Sequence, residues 1–483
     1  MDVQSISLLE SYPEIDSVKV NNLLTEELFD FSPKIVVLDD DPTGVQTVFG
    51  VYVYTDWEKD TLTHAFKEEN QMFFILTNSR SLSESETVKV HTEIAERLCQ
   101  VSKEQNQTFL LLSRGDSTLR GHYPLETDTL KETLERNLPY SFNGEVFCPF
   151  FPEGGRYTFH NIHYVKEGEH LTPSGNTEFA RDQTFSFQSS DLTEYIEEKS
   201  KGNYTKESCV VISLEELRSL SFDPITMKLL QMEQFQKVVV NAITYTDLKV
   251  FTICWIRAMK KGKHYMARCA AALPKVIGNI SDKPFLKGRE LIAKGTTNGG
   301  LIIIGSHVKK TTEQFKALLE SHTPLELLEF NVNSYFKEGG LESAAKEVLT
   351  QAEKHIQSGK TVLIYTSRKL LAPKDFLEEE LLSLSVKISE SLTSIVSMLH
   401  VKPSFILAKG GITSSDVGTI GLHVKKALVL GQVKPGIPVW LTGSESKFPN
   451  MPYIIFPGNV GTSTTLREIV ESLILGGHFH EET

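Results

Sequence analysis

The sequence predicts an α/β protein made of two open, mostly parallel, Rossmann-like domains in tandem, with a cleft between them. Three observations carry this expectation: short β-branched runs that are apolar throughout, helix-period segments that alternate with them, and a long chain. At 483 residues and 54.2 kDa the chain exceeds what one hydrophobic core usually organises. Strands that are apolar along their whole length belong in sheets covered on both faces. Regular alternation with helices makes such sheets parallel.

The first series of strands reads "KIVVLDD" (34–40), "QMFFILTNSR" (71–80), "QTFLLLSRGD" (107–116), "EVFCPFFPEGG" (145–155), "SCVVISLEEL" (208–217) and "KVVVNAITYTDL" (237–248). Between them, "SESETVKVHTEIAERLCQVSKEQ" and "HYPLETDTLKETLERNLP" read as helices, the former opening on acidic residues that suit the positive helix N-terminus. Met266–Ala271 also reads as helical. A second series begins near residue 300 with "GGLIIIGSH", "LELLEFNV", "KTVLIYTSR", "PSFILAKGGITS", "IPVWLTGSE" and "PYIIFPGNVG". Helix-period segments separate these, ending with "TSTTLREIVESLILGG". The join falls in the Gly-rich, polar stretch 278–300, giving domains 1–280 and 301–483 with 281–300 as linker.

Bulk properties narrow the function. Hydrophobic residues make up 40% and charged residues 23%, ordinary globular values. A net charge of -12 and a pI near 5.7 argue against a nucleic-acid or anionic-membrane partner. An anionic ligand would need a positive site built locally against that field. The five cysteines are dispersed and form no CxxC, a reduced, cytoplasmic pattern without a zinc site. No signal peptide and no membrane-length apolar run is read.

Ligands of open parallel sheets bind beyond the carboxyl ends of the strands. In the first series those ends deliver Asp39, Asp40, Asp41, Thr43 and Gly44; Asn78, Ser79 and Arg80; Arg114, Asp116, Ser117 and Arg120; and Glu153 and Arg156. Arginines suit bidentate capture of a carboxylate, and aspartates suit hydrogen bonds to hydroxyls or a general-base role. A small polyhydroxy acid meets both requirements. The plainer reading makes Asp39–Asp41 a solvated, capping turn and the arginines surface ion-pair partners.

The second series ends in Gly305 and Ser306, then Thr366, Ser367 and Arg368, then Lys409 to Ser415, then Pro457 to Gly461. Glycines and small hydroxyls let main-chain N–H groups close on phosphate oxygens. The absence of GxxxxGK[ST] rules out a P-loop, and the absence of GxGxxG after a strand counts against a dinucleotide. His160 and His163 sit in a strand-like context poor for a shared metal, His478 and His480 lie in the C-terminal tail, and no metal-ligand set is assigned.

Taken in order, "DDPTG" (40–44), "NSR" (78–80), "DSTLRG" (116–121), "PEGGR" (152–156), "GSHVKKTTEQ" (305–314), "YTSR" (365–368), "KGGITSSD" (409–416), "GQVKPGIPVW" (431–440) and "PGNVG" (457–461) resemble the four-carbon acid sugar kinase family. The resemblance runs from about residue 34 to 470. It implies an N-terminal acid-sugar site lined by Asp40, Asp41, Ser79, Arg80, Asp116, Arg120 and Arg156. It implies a C-terminal nucleotide site lined by Ser306, Gly410, Gly411, Ile412, Thr413, Gly458, Asn459 and Gly461. Two departures stand out: Arg114 where relatives carry lysine, and Asn241-Ala242 where they often read Asp-Ala.

The expected activity is ATP- and Mg²⁺-dependent phosphorylation of a hydroxyl on a threonate, erythronate or 3-oxo-tetronate type of acid. Asp116 and Asp41 are the expected catalytic carboxylates, and Arg80 and Arg120 the expected clamp on the substrate carboxylate. The partners are then a small sugar acid and ATP, with no nucleic acid or membrane and with self-association left open. The competing readings are a sugar-acid oxidoreductase, disfavoured by the missing GxGxxG, and an inactive binding protein.

Overall fold

The computed structural model describes residues 2–368, 378–458 and 460–477. The chain divides into two compact units, Met1–Asp282 and Lys283–Thr483. Along the first unit run β1 (Gln4–Ser5), β2 (Lys34–Asp39), β3 (Tyr52–Tyr54), β4 (Met72–Leu76), β5 (Phe109–Arg114), β6 (Gly144–Cys148), β7 (Arg156–Phe159), β8 (Ile162–Glu167), β9 (His170–Pro173), β10 (Val210–Ile212), β11 (Gln236–Val240) and β12 (Tyr265–Cys269). Eight of these form a parallel sheet in the order β10-β11-β6-β12-β5-β2-β4-β3. A small antiparallel sheet, β1-β9-β8-β7, stands apart from it.

Every residue of β2, β4, β6 and β12 is buried, which explains their unbroken apolar character. Helices cover the sheet where the sequence puts them, at Glu84–Gln105 and Leu125–Asn137. The first starts at Ser83, whose side chain and backbone close a capping box with Glu86. Val36, Leu38, Phe73, Ile75, Ile94, Leu98 and Leu111 then share one core cluster.

Met266–Ala271, expected as helix, is instead largely β12, hydrogen-bonded between β5 and β6 at the centre of the sheet. Ala, Met and Arg favour helices locally, but a slot between two paired strands satisfies every backbone group and overrides that preference. The short β3 was also not foreseen; its three residues are too few to show a period.

The second unit carries β13 (Leu301–Ile304), β14 (Glu326–Phe330), β15 (Val362–Thr366), β16 (Ile406–Lys409), β17 (Lys426–Lys434), β18 (Ile437–Thr442) and β19 (Pro452–Phe456). Their order is β17-β18-β19-β16-β13-β15-β14, parallel from β19 to β14 and antiparallel at β17 and β18. Residues 283–300 belong to this unit: Leu286 and Leu291 are buried in its core beside Val433, Ile437 and Phe456. Among the described residues, no helix is long and apolar enough to cross a membrane.

Both units repeat one piece of topology. In the first, the chain passes from β2 to β3 and β4 on one side, then to β5 on the other. In the second, it passes from β13 to β14 and β15, then to β16 on the other side. The carboxyl ends of the central strand and its two neighbours therefore border a crevice at each reversal.

At the opposite, amino end of the first sheet, Lys237 is fully buried against Glu145, with the Phe235 and Tyr204 rings 3.8 and 3.9 Å from its ammonium. Removing one partner of a buried pair strands the other charge. Lys237→Met should therefore destabilise the protein by about 3–5 kcal/mol, read from urea unfolding. Lys237→Met combined with Glu145→Leu should recover most of that loss, and a double variant as weak as the single would disprove the pairing.

Candidate functional site

The first crevice is held together by charge. Asp39, the last residue of β2, and Asp40 are almost fully buried, and Asp41 is partly open. Their carboxylates converge to within 4.8 Å of one another. Arg80, from the turn after β4, grips Asp40 through Nε at 3.1 Å and Nη2 at 2.7 Å, and reaches Asp41 at 2.5 Å. Arg114, the last residue of β5, meets Asp39, Asp40 and Asp41 at 3.1, 3.2 and 3.6 Å through the same nitrogen. The chain between the aspartates and their turn must stay bare. A Cβ on Gly44 would sit 2.0 Å from the Asp39 carboxylate, so only glycine fits.

Across the crevice Asp116 accepts from Arg120 Nε at 2.7 Å and from the Thr118 hydroxyl. Arg120 also faces Asp182 at 3.7 Å and lies 5.0 Å over the Phe179 ring. Burial alone would raise Asp116, but Arg120, Arg80 and the two hydrogen bonds outweigh it and hold the carboxyl well below its usual range. Arg80 and Arg120, expected to clamp a ligand carboxylate, are thus both engaged by carboxylates of the protein itself.

Arg156, the first residue of β7, differs. Among the described residues it has no carboxylate within ion-pair distance, and its buried Nε lacks a hydrogen-bond partner. Its guanidinium shares the Phe179 ring at 5.8 Å. Burial lowers its pKa, with Asp116 acting in the opposite sense. Ser79 is buried with its hydroxyl donated to Glu126 at 2.7 Å, so its side chain faces inward.

Residues given no role from sequence lie directly beneath. Arg268 on β12 donates to Ser113 Oγ at 3.0 Å and pairs with Glu126. A Cβ on Gly115 would approach the Arg268 guanidinium to 2.1 Å, so this pair supports the turn that carries Asp116. Arg268 lies in a segment that reads as helical from sequence, which hid its pairing with Glu126. His163 is a core residue between Thr158 at 2.9 Å and the Ser117 carbonyl at 2.8 Å, with burial lowering its pKa to about 4. Asn241 bonds Asn161 twice, at 2.8 and 3.0 Å, and the Ile212 carbonyl at 2.9 Å. Its amide is therefore saturated by the protein.

The second crevice gathers Ser306, Gly410, Thr413 and Gly458. Gly410 has φ +123°, and a Cβ there would meet Ser306 Cβ at 2.9 Å and Thr413 Oγ1 at 3.2 Å. A Cβ on Gly458 would lie 3.6 Å from Ser306 Oγ, and one on Gly411 would meet nothing within 4 Å. Main chain is therefore presented openly on two turns facing Ser306. Ile412 is 65% exposed beside them. Gly461, with φ +84°, packs instead against Thr465. Asn459, like His478 and His480, lies outside the described residues.

The acidic cluster makes a pH prediction. Burial would raise Asp41, but Arg80, Arg114 and Thr43 outweigh it and lower its pKa. Its charge stabilises the fold above the ordinary carboxylate range, and that contribution is lost as pH falls. Burial raises Asp39 and Asp40 despite the arginines, so their charges work against folding at neutral pH. Arg114→Met should cost about 3–5 kcal/mol near pH 7. The deficit against wild type should shrink as pH falls and Asp39 and Asp40, their pKa values raised by burial, take up protons. Urea unfolding at successively lower pH checks it; a pH-independent deficit would refute a role for the Arg114 charge.

Comparison with known proteins matches the two halves of the chain to two domain families. A sugar-binding N-terminal domain family matches residues 35–277, and a nucleotide-binding C-terminal domain family matches residues 301–466. No curated protein matches the chain. Among solved structures, a Salmonella typhimurium LT2 protein described as a candidate tRNA synthase is 16% identical with a TM-score of 0.63, over 89% of this chain and 97% of that one. A Haemophilus influenzae protein of the DUF1537 family is 15% identical with a TM-score of 0.59, over 91% of this chain and 100% of that one. At such identities these two establish likeness of fold. With a sugar-binding half and a nucleotide-binding half matched in this order, the chain belongs to the four-carbon acid sugar kinase family.

Proposed function

We propose that the protein transfers the terminal phosphoryl group of ATP to a hydroxyl of a four-carbon sugar acid of the threonate, erythronate or 3-oxo-tetronate type. The observation that carries this reading is Arg156. It is the guanidinium at the acidic crevice that no described carboxylate neutralises, and a substrate carboxylate supplies the missing partner. Hydroxyls of the same molecule fit the adjoining acceptors Asp40, Asp41 and Asp116. Arg80 and Arg120 take a positioning role, holding those carboxylates in place.

Phosphoryl transfer passes through a loose transition state, so positioning and charge matter more than a strong base. Asp116, kept ionised by Arg120 and Arg80 against the cost of burial, is a weak base but a firm hydrogen-bond acceptor. It orients the attacking hydroxyl and receives its proton late in the transfer; Asp41 is the other candidate. The turns at Gly410, Gly411 and Gly458, with Ser306 and Thr413, offer main-chain and hydroxyl contacts to the phosphates, and the exposed Ile412 borders them. Magnesium, when bound, neutralises phosphate charge. Hard oxygen donors suit it, and Asp41, the most open of the three clustered aspartates, would hold it. Each unit supplies one reactant, so turnover requires both.

ADP release measured with ATP, Mg²⁺ and a panel of four-carbon acids tests the reading, and no turnover on any of them would remove it. Asp116→Asn should lower kcat by roughly 100-fold or more, and near wild-type turnover would move the role to Asp41. Arg156→Gln should raise KM for the acid by roughly tenfold to a hundredfold, with kcat changed far less.

A further inference from the structure

In the second unit three cations converge on the glycine turns without a described carboxylate. Lys409, the last residue of β16, is fully buried; its ammonium donates to the Pro457 carbonyl at 3.0 Å and lies 3.7 Å from the Phe456 ring centroid. Arg368, just beyond β15, donates from Nη1 to the Ser306 carbonyl at 2.6 Å and stacks 5.1 Å over Phe315. Its Nε and Nη2 are buried with no hydrogen-bond partner among the described residues. Lys310, in the first turn of the helix Lys309–Leu319, donates to the Gly461 carbonyl at 3.3 Å.

Among the described residues none of the three makes an ion pair, although others in the unit do, such as Lys360 with Glu326 and Lys434 with Glu468. In the first unit the buried Arg80, Arg114 and Arg268 all face carboxylates, whereas Lys34 is held by two carbonyls and Arg156 by no described carboxylate. A carbonyl offers only a partial charge, and a buried ammonium or guanidinium without a full counter-charge is costly. The accepting carbonyls, on Ser306, Pro457 and Gly461, belong to the turns around the second crevice. A multiply charged anion seated at these turns would supply the counter-charge that the described residues do not.

We propose that Lys409, Arg368 and Lys310 form a three-point counter-charge for a polyphosphate chain at the second crevice. This rests on the nucleotide half of the kinase reading and assigns the side chains that would meet the phosphates. The groups facing Lys409 are the Phe456 ring and Pro457 carbonyl, from β19 and the turn after it, and Lys310, which repels it. Burial and Lys310 together lower its pKa to about 7. Those facing Arg368 are Tyr365, raised by burial, and His307, lowered by burial and by Arg368. His307 thus stays neutral above neutral pH, and Lys409 is the group that changes charge. Phosphates restore its proton, so binding takes up a proton above about pH 7 and weakens as pH rises toward 9.

Calorimetric titration of the full chain with ATP, inorganic tripolyphosphate and adenosine tests this, in two buffers of different ionisation heat. Lys409→Met, Arg368→Gln and the exposed Lys310→Ala should each raise Kd for ATP and tripolyphosphate by roughly tenfold or more, leaving adenosine unchanged. Wild type should take up a proton on binding near pH 8, and Lys409→Met should not; ligand ionisation acts on both alike. If wild type binds ATP and all three variants bind it equally well, the counter-charge is wrong and the kinase reading stands. If wild type binds neither phosphate probe, both are wrong. Should Lys409→Met fail to fold, the Lys310→Ala and Arg368→Gln titrations still decide.

Discussion

Three aspartates in a row at the end of a buried strand can coexist only because two guanidinium groups are delivered to them. Arg80 and Arg114 come from the ends of the strands on either side of β2. The sheet order therefore does electrostatic work: it brings two positive charges to one acidic point that would otherwise fly apart or protonate. Gly44, tucked against Asp39, closes the arrangement with no room for a side chain. The geometry of the first crevice depends on this cluster staying in place.

Beneath it, the Glu126–Arg268 pair fixes the floor on which the Asp116 turn rests. The result is a layered site in which protein carboxylates and protein arginines neutralise each other almost completely, leaving Arg156 without an internal partner. The second crevice is built on an opposite principle. Its cations find only carbonyls, and its glycines leave backbone uncovered. One half leaves a single guanidinium without a described carboxylate, the other leaves several cations facing only carbonyls. The net charge of -12 makes that local excess of positive charge the more telling.

Much of this was legible from residue order. Alternating apolar strands and helix-period segments announce the α/β architecture, and the Asp, Arg and Gly at the strand ends do gather at the topological reversals, where strand ends face a common crevice. Partnerships were not legible. Nothing local distinguishes an arginine free to hold a ligand from one neutralised by an aspartate on the neighbouring strand, so Arg80 and Arg120 looked more available than Arg156. Arg268 was hidden by a segment whose propensity points to helix while its slot between β5 and β6 makes it a strand. Lys409 looked like one more polar residue before a glycine pair; its isolation from carboxylates is a fact of packing, which no local pattern encodes.

The two leucines ahead of β13 carry a practical meaning. A sequence signature for the C-terminal half begins at residue 301, whereas the hydrophobic interior of that half already uses Leu286 and Leu291. A fragment cut at the signature would open a trough lined by Val433, Ile437 and Phe456, inviting aggregation. A fragment begun at Lys283 keeps these two leucines, so the border of a recognisable motif and the border of the compact unit lie some distance apart in this chain.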